Sequence, residues 1–511
     1  MQVLTRIRPP GFAIGLVALL AIACAAPAPP DGATPPDATS GAAISLGPIT
    51  GDVGVTTAVL WARAPNPGRI AFALEPAHVE LAPVAVDAAT DFTASVVAEG
   101  LDSDTEYRVR AQVDAGPPAE ARFRTAPPPS ASRPTRIAWG GDLAGQNVCR
   151  DLARGFPVFE GVARYAPDVF IGLGDMIYAD SLCEARGTHG NAQVPGGYGV
   201  GVDLDSYRAH WRYTREDPAF ARVLATTPYV AIWDDHEIVN DAGPLHDTRS
   251  QPPWTEGVHL LPIGLRTFLE YNPILPDDER TPDRLYRTLR WGRHVELFIL
   301  DTRQYRDANI APDLPPETDA IGEVRRAKSL LGREQRTWLE QKLAASDATW
   351  QVIVSSVPLA IPTGSPPMRG RDGWSRGRND PTGFAQERDE ILRFLHANGV
   401  RDTLWITTDV HFAQVFVHRP IAEDPGFRVI EAVSGPLSAI FGAPRPPDPA
   451  VNAEIRFVHA APEGANQGAF DDAVRWFNFG AFEVDADGVL TVRILDAAGE
   501  SLYAERFEPG G

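Results

Sequence analysis

The chain has 511 residues, of which 44% are hydrophobic, and a formal net charge of -20. This length predicts two or more domains, and the hydrophobic content excludes a disordered chain. The acidic balance argues against general affinity for nucleic acid or anionic lipid, because no basic field is available to attract a polyanion. An anionic substrate would therefore need a local positive site, which bound metal cations could supply.

Residues 1–23 have the pattern of an export signal. Arg6 and Arg8 precede an apolar run from Phe12 to Ile22, which is too short for a convincing spanning helix. The run ends in Ala21-Ile22-Ala23-Cys24, which fits an Ala-x-Ala cleavage site and also approximates the lipobox of bacterial lipoproteins. We therefore predict an exported protein, periplasmic or at the cell surface. Lipidation would anchor Cys24 to a membrane, and the alternative is a plain secreted protein with an unmodified Cys24.

The two remaining cysteines, Cys149 and Cys183, form an even pair in a chain predicted to reach an oxidising compartment. A disulfide is the default expectation for such a pair. Two alternatives stay open at this point: a buried free thiol, or Cys149 as a metal ligand close to the first candidate ligand motif.

Residues 24–42 are rich in Ala, Pro, Gly, Asp and Thr and predict a flexible tether. Residues 43–127 alternate in short β-like runs separated by Gly, Pro and Asp, which predicts a β-sandwich domain. The segment from Leu101 to Tyr107 resembles the tyrosine corner of immunoglobulin-like and fibronectin-like sandwiches, although any core tyrosine is an alternative. Ala126-Pro127-Pro128-Pro129 is interpreted as a stiff linker that closes this domain.

A second domain is predicted over residues 133–508, where buried strands alternate with helical patterns. Five of its six strong strand patterns lead directly into a carboxylate, which is typical of an α/β sheet with functional groups at strand ends. Helical spacing is found at residues 330–340 and 387–395. Long loops are predicted at residues 184–204, 310–317 and 362–383. The six strand patterns span residues 136–142, 168–175, 228–235, 295–301, 350–355 and 403–409.

Four of these strand ends carry groups suited to metal binding. Asp142 follows the first pattern, and Asp175 follows the second with Tyr178 three residues later. Asp235 lies in the run Trp233-Asp234-Asp235-His236-Glu237, and Asp409 and His411 are two residues apart. Each motif alone is weak, because a lone strand-end aspartate is more often a turn or capping residue. Together they predict a carboxylate-rich centre for two cations, the arrangement that activates water and clamps a phosphoryl group.

These residues resemble the alkaline phosphatase D (PhoD-like) metallophosphatases, relatives of the purple acid phosphatases. The resemblance extends over roughly residues 44–505. Its motifs are GDMIYAD at 174–180, WDDHEIVND at 233–241, LDTRQYR at 300–306, LGREQRTWL at 331–339 and TDVHF at 408–412.

The resemblance implies a β-sandwich followed by a four-layered αββα metallophosphatase domain, and an alkaline phosphatase that uses a metal-bridging hydroxide. It implies that one metal, ferric iron, is held by Asp142, Asp175, Tyr178 and His411. The second metal would be held by Asp235 and Asp409, with Asp175 as the bridge. Some relatives have cysteine in place of Asp142. An all-oxygen second site favours calcium first, with manganese or magnesium next and zinc as a further alternative.

Two further residues are candidates for catalysis. His236 is expected to act as the general acid on the leaving oxygen, and the alternative is that it only orients Asp235. Arg303 is expected to hold the phosphate through its planar fork, and the alternative is an ion pair with Asp301 or another carboxylate. Asp234, Asn240 and Asp241 are unranked candidates for additional ligands.

Other functions stay open at this stage. A serine hydrolase is disfavoured, because the Gly-x-Ser-x-Gly run at 373–377 lies in a predicted loop and not in the strand-turn-helix that a nucleophile elbow requires. The main alternative is a phosphodiesterase or phospholipase D-like hydrolase, because the same centre can cleave diesters. A non-catalytic, metal-dependent surface binding protein is a weaker alternative. The expected partner is a phosphate mono- or diester substrate, without specific nucleic-acid binding, and the sequence leaves the oligomeric state open.

Overall fold

The computed structural model describes residues 41–76, 79, 81–243, 256–275, 281–315, 317–318, 324–325, 327–364, 370–377 and 380–510. The predicted export signal and nearly all of the predicted tether, including Cys24, lie outside the described residues. Among the helices of the described part, none combines the length and the apolar character needed to cross a bilayer.

The strands of the described residues, in chain order, are β1 (Leu46–Gly51), β2 (Thr57–Arg63), β3 (Gly68–Glu75), β4 (Val84–Val86), β5 (Thr93–Glu99), β6 (Glu106–Val113), β7 (Ala119–Arg124), β8 (Thr135–Gly140), β9 (Val169–Leu173), β10 (Tyr229–Ile232), β11 (Arg287–Trp291), β12 (Val295–Ile299), β13 (Glu317–Thr318), β14 (Val324–Arg325), β15 (Trp350–Val354), β16 (Thr403–Thr407), β17 (Ala413–His418), β18 (Val429–Val433), β19 (Ala453–His459), β20 (Asn478–Val484), β21 (Leu490–Asp496) and β22 (Ser501–Phe507). The helices are α1 (Val158–Tyr165), α2 (Leu204–Arg215), α3 (Pro218–Thr226), α4 (Glu256–Tyr271), α5 (Gly332–Ala345), α6 (Ala385–Ala397) and α7 (Phe470–Ala473).

Two large sheets carry the fold. The nine-stranded sheet has the order β22-β21-β20-β8-β9-β10-β1-β2-β5, and the seven-stranded sheet has the order β11-β12-β15-β16-β18-β17-β19. Strands β8, β9 and β10 are parallel to one another, as are β12, β15, β16 and β18. All six strand patterns predicted in the second domain are therefore strands of the structure, divided equally between the two sheets.

Alternate residues of the central strands face different cores. In β9, Val169 and Ile171 pack between the two large sheets, whereas Phe170 faces the opposite side with residues of α1 and α3. In β15, Val352 packs between the sheets and Ile353 packs with α5 and α6. This period-2 alternation buries both faces of each sheet. The resulting order of layers is helices, sheet, sheet, helices, as the resemblance implies.

The N-terminal strands are continuous with this arrangement. Strands β1, β2 and β5 extend the nine-stranded sheet, because β1 pairs in parallel with β10 at Gly51 and Tyr229. A four-stranded sheet, in the order β4-β3-β6-β7, packs on them through the core between the sheets. Ser40–Gly511 forms one compact unit. The predicted boundaries at 43–127 and 133–508 stay predictions, but the structure joins the two segments through a shared sheet.

The predicted tyrosine corner has the expected contact. The Tyr107 side chain is fully buried, and its hydroxyl oxygen accepts a hydrogen bond of 2.8 Å from the backbone N–H of Asp102. This contact ties the turn before β6 to the sheet, which is the role of the tyrosine in such corners.

Cys149 and Cys183 form a disulfide with a Cα–Cα distance of 5.7 Å, which confirms the predicted pairing and excludes Cys149 as a metal ligand. The bond joins the loop after β8 to the loop after β9.

Replacing both cysteines with serine is expected to lower the free energy of unfolding by about 3–4 kcal/mol. The two cysteines are 34 residues apart, and a cross-link across a loop of that length lowers the entropy of the unfolded chain. Chemical denaturation of the oxidised protein and of the double variant measures the difference. Equal midpoints would contradict the prediction.

Candidate metal centre

The candidate ligands lie at one edge of the two sheets. Asp142, Asp175 and Asp235 follow the carboxyl ends of β8, β9 and β10. Because these strands are parallel and adjacent, their carboxyl ends meet at the same edge. Asp409 and His411 follow β16 of the seven-stranded sheet. The structure therefore gathers the strand-end groups that the sequence places far apart.

The backbone at these positions is unusual. Asp142, Asp175, Asp409 and His411 all have positive φ, of 61°, 53°, 77° and 59°. The left-handed region costs a non-glycine residue about 1–2 kcal/mol, and such residues concentrate at functional sites. Gly435 has a φ of 135°, and a Cβ there would lie 2.2 Å from the Asp142 carboxylate. Only glycine fits at that point against the ligand.

The first group of candidate ligands contains Tyr178, His411 and Asp142. The Tyr178 hydroxyl oxygen lies 3.0 Å from His411 Nε2, which is 3.8 Å from Asp142 Oδ1. His411 Nδ1 lies 2.6 Å from the backbone oxygen of Ile440. A proton on Nδ1 would satisfy that contact and leave the Nε2 lone pair directed at the group, as is usual for metal-ligating histidines.

The second group consists mainly of carboxylates. One set of possible ligand atoms, all within 4.8 Å of one another, comes from Asp175, Asp235 and His236, and a second comes from Asp234, Asp235 and Asp409. Asp235 belongs to both sets. The assignment of Asp175 as the bridging carboxylate stays a prediction. Asp235 therefore links the two sets of candidate ligands.

Several carboxylate oxygens in the centre lack hydrogen-bond donors among the described residues. Asp142 Oδ1, Asp235 Oδ1 and Asp409 Oδ2 are buried and accept no hydrogen bond from that part of the chain. Burial raises the pKa of Asp142, and burial together with neighbouring aspartates raises the pKa of Asp175 and Asp409 well above the usual range. Unpaired buried carboxylates are costly. Bound cations would offset that cost, so the donor set fits metal ions.

His236 lies beside the first group. Its ring stacks on Tyr178 with ring centroids 3.8 Å apart, and its Nδ1 lies 2.7 Å from Asp180 Oδ1. Burial alone lowers the pKa of His236, but the negative charges of Asp180 and Asp235 raise it to about 9. The sequence analysis did not single out Asp180 as a partner of the imidazole.

Arg303 forms ion pairs with the carboxylates of Asp234 and Asp372. Its guanidinium is fully buried and donates to Asp234 Oδ1 at 2.6 Å and to both oxygens of Asp372 at 2.9 and 2.8 Å. Burial raises the pKa of Asp372, but Arg303 and Arg306 lower it to about 2. This geometry favours the ion-pair alternative, with Asp234 and Asp372 as partners in place of Asp301. A direct role against phosphate stays a prediction.

Comparison with known proteins places this centre in a family. The model of the family described as PhoD-like phosphatase matches residues 138–491, which include every candidate ligand. The chain belongs to the PhoD-like phosphatase family.

Individual relatives agree with this assignment. Alkaline phosphatase D of Bacillus subtilis (strain 168) is 27% identical over 332 residues, which cover 62% of this chain and 52% of the relative, so the match spans about half of the relative's length. The solved structure of PhoD covers 90% of this chain and 88% of its own, with a TM-score of 0.68 and 19% identity. The purple acid phosphatase PPD1 from yellow lupin (Lupinus luteus) seeds covers 90% and 73%, with a TM-score of 0.51 and 12% identity. At these identities the two structures establish a similar fold.

Within this PhoD-like centre, sequence reasoning missed Asp372 and Glu237 in addition to Asp180. Asp372 lies in the loop predicted at 362–383. No strand ends directly before it, so the strand-end pattern did not identify it. Glu237 lies in the motif WDDHEIVND, but the sequence pattern did not indicate a role for it. Its carboxylate accepts hydrogen bonds from the backbone N–H groups of Asp175 at 3.0 Å, Met176 at 2.7 Å and Asp234 at 2.8 Å. Glu237 therefore joins the turns after β9 and β10.

Glu237→Gln is expected to weaken metal retention and activity by about 10- to 100-fold, because an amide directs an N–H group at one of these three backbone donors. Burial raises the pKa of Glu237 to about 7, against the lowering effect of the hydrogen bonds from Asp234, Met176 and Asp175. Metal content after dialysis and the rate of ester hydrolysis give the measurement. Glu216→Gln, at a side chain with 55% exposure, is the matched control. Unchanged metal retention in Glu237→Gln would refute this positioning role.

The centre opens into a cavity of about 230 Å³. Its floor includes Asp175, Asp409, His236 and His411, and its wall includes Phe412. The cavity is smaller than the roughly 300–1,000 Å³ of typical small-molecule pockets, so it has room for a small head group rather than a whole large ligand.

Proposed function

We propose that the chain is a metal-dependent phosphoric ester hydrolase that acts as an alkaline phosphatase on phosphate monoesters. The observation that carries this proposal is the group of strand-end carboxylates beside one small cavity, which Asp175 and Asp409 line. Three of their buried oxygens, on Asp142, Asp235 and Asp409, accept no hydrogen bond within the described part of the chain. Family membership supports it. The similarity to alkaline phosphatase D of Bacillus subtilis supports it as well.

The donors suggest which cations the centre would hold. Asp142, Asp175, Tyr178 and His411 would hold ferric iron, for which a phenolate and carboxylates are suitable hard ligands. Asp175, Asp235 and Asp409 offer only oxygen, which suits calcium first and manganese, magnesium or zinc as alternatives. When bound, two such cations lower the pKa of water and neutralise phosphoryl oxygens. Elemental analysis of protein purified without added metal tests these identities.

The protein's own groups would orient the substrate and supply a proton. The acidic residues that line the cavity would fix where the cations and the scissile phosphoryl group meet, and Phe412 adds an apolar surface to the lining. His236 lines the same cavity, and Asp180 fixes its ring through Nδ1. We assign His236 the delivery of a proton to the leaving oxygen, and the alternative is that it only orients Asp235.

His236→Asn is expected to slow hydrolysis of an alkyl phosphate by about 100-fold or more and of p-nitrophenyl phosphate much less, because p-nitrophenolate leaves without a proton. The two rates are compared in one metal-loaded preparation, with the surface variant His396→Asn as control. An equal loss on both substrates, accompanied by loss of metal, would show that the imidazole only orients Asp235.

One assay tests the activity as a whole. Metal-loaded protein is incubated with p-nitrophenyl phosphate and with bis-p-nitrophenyl phosphate, with and without a chelator. We expect chelator-sensitive release of nitrophenol from the monoester. Release from the diester alone would reassign the protein as a phosphodiesterase or phospholipase D-like hydrolase. If metal-loaded protein releases nitrophenol from neither substrate, the result would indicate a non-catalytic, metal-dependent binding protein.

Location and domain organisation are also part of the proposal. We propose that residues 1–23 direct export to the periplasm or cell surface, with lipid attachment at Cys24, and that residues 43–127 form an immunoglobulin-like sandwich. The disulfide between Cys149 and Cys183 is compatible with an oxidising compartment. Cell fractionation, with mass analysis of the mature N-terminus, tests export and lipidation. Recovery of unprocessed protein in the cytoplasm would contradict both.

A further inference from the structure

The mouth of the cavity carries a cation that the proposed hydrolysis does not use. Arg445 lines the cavity and is exposed to solvent. Of the described residues that line this cavity, it is the only arginine or lysine. No carboxylate of the described chain lies within 4.0 Å of it as an ion-pair partner. Arg445 therefore differs from Arg303, whose charge is balanced by Asp234 and Asp372.

The segment that carries Arg445 is fixed at both ends. The backbone N–H of Gly442 donates to the oxygen of His411 at 3.2 Å, which ties the segment to a candidate ligand. At the other end, the backbone N–H of Asp448 donates to Ala360 at 2.8 Å, and Asp448 Oδ2 accepts from Arg388 at 3.0 Å. The residues between are rich in proline, with Pro444, Pro446 and Pro447 on both sides of Arg445. Proline restricts the backbone, so the backbone that carries Arg445 loses little entropy on binding.

Two of the residues that line the cavity, Arg445 and Thr363, have unused hydrogen-bonding groups. Arg445 donates from Nη1 to the oxygen of Pro362 at 2.8 Å, which engages one of its five N–H groups. The next residue, Thr363, also lines the cavity and is 4% exposed. Its hydroxyl has no hydrogen-bond partner among the described residues. A guanidinium fork and a hydroxyl that line the same cavity match the oxygens of a phosphate group.

The size of the cavity indicates which part of a substrate would reach these groups. With a volume of about 230 Å³, the cavity accommodates the scissile phosphoryl group at its acidic floor, so the remainder of the molecule extends to the mouth. We propose that Arg445 and Thr363 bind a second phosphate group on the alcohol side of the substrate. The preferred substrates are then phosphate esters whose leaving alcohol carries another phosphate. This inference rests on the proposed function.

The test compares propane-1,3-diol monophosphate with propane-1,3-diol bisphosphate, which differ by one phosphate. Phosphate release gives kcat/KM for each with metal-loaded, full-length protein. Arg445→Met is expected to lower the ratio of the bisphosphate value to the monophosphate value by about tenfold or more, because a charge-assisted hydrogen bond is lost. Thr363→Val, which keeps the side-chain shape, is expected to lower the ratio less. Arg393→Met, at an exposed arginine of α6, is the matched control and leaves the ratio unchanged.

Titration calorimetry with the same two compounds separates the two proposals. If wild-type protein hydrolyses neither these compounds nor p-nitrophenyl phosphate, the proposed function fails. The ratio of the two Kd values, and its change in Arg445→Met, then still tests the subsite. An equal loss for both compounds would mean that Arg445 binds the scissile phosphoryl group or supports the fold, and it would overturn the inference. An unchanged ratio in both variants would overturn it as well.

Discussion

Asp175→Ala is expected to abolish ester hydrolysis and to lower the content of both metals. The Asp175 carboxylate is buried at the end of β9, and its oxygen lies within 4.8 Å of ligand atoms of Asp235 and His236. A bridging carboxylate serves two ions, so its removal weakens both sites. A loss of about 4 kcal/mol of transition-state stabilisation corresponds to roughly a thousandfold lower rate.

The experiment combines elemental analysis, turnover of p-nitrophenyl phosphate and thermal unfolding in chelator. Burial and the neighbouring Asp235, Asp234 and Glu237 raise the pKa of Asp175, so its removal relieves repulsion in metal-free protein. The Tm in chelator reports the stability of the metal-free protein, so it separates loss of metal from loss of fold. Asp487→Ala, at an exposed aspartate, is the control. Full occupancy of both metals in Asp175→Ala would contradict the bridging assignment.

Arg303→Met is expected to lower the free energy of unfolding by about 3–5 kcal/mol, because it leaves buried negative charges without their partner. Arg303 and Asp372 are almost completely buried, as is Asp234, and their contacts are direct. A role in binding phosphate predicts something different: a raised KM with little change in stability. The structure favours the first outcome.

Denaturant unfolding and KM, measured on the same samples, decide between these outcomes. The double variant Arg303→Met with Asp372→Asn removes a charge from each side, so it is expected to recover part of the stability lost in the single variant. A simple sum of the two single losses would show that the side chains are not coupled. A normal Tm with a raised KM in Arg303→Met would instead support the predicted role of Arg303 in binding phosphate.

The sequence alone was enough to predict six strands of the second domain and to identify candidate ligands at their ends. Runs such as Val169–Leu173 are apolar at every position, which identifies strands buried on both faces. An aspartate directly after one such run is a weak signal, but several in succession, each after its own buried strand, indicate a shared site. These local signals identified Asp142, Asp175, Asp235 and Asp409 as strand-end groups.

Other features depended on contacts between distant segments. Asp372 lies in a loop without periodicity, and its contact with Arg303 spans 69 residues. Glu237 is close in sequence to Asp235, but its hydrogen bonds to Asp175 and Met176 exist only because β9 and β10 are neighbours. Short-range patterns carry no information about such neighbours.

The sequence by itself therefore predicted the six strands that lead to the candidate centre, favoured the disulfide and identified the candidate ligand types at the strand ends, because these depend on local hydrophobic period and side-chain chemistry. Only the tertiary structure decided that β1 joins the nine-stranded sheet, that Arg303 faces carboxylates, and that Arg445 stands at the cavity mouth. The physical reason is that pairing and burial are set by which segments pack together. That choice depends on the whole chain.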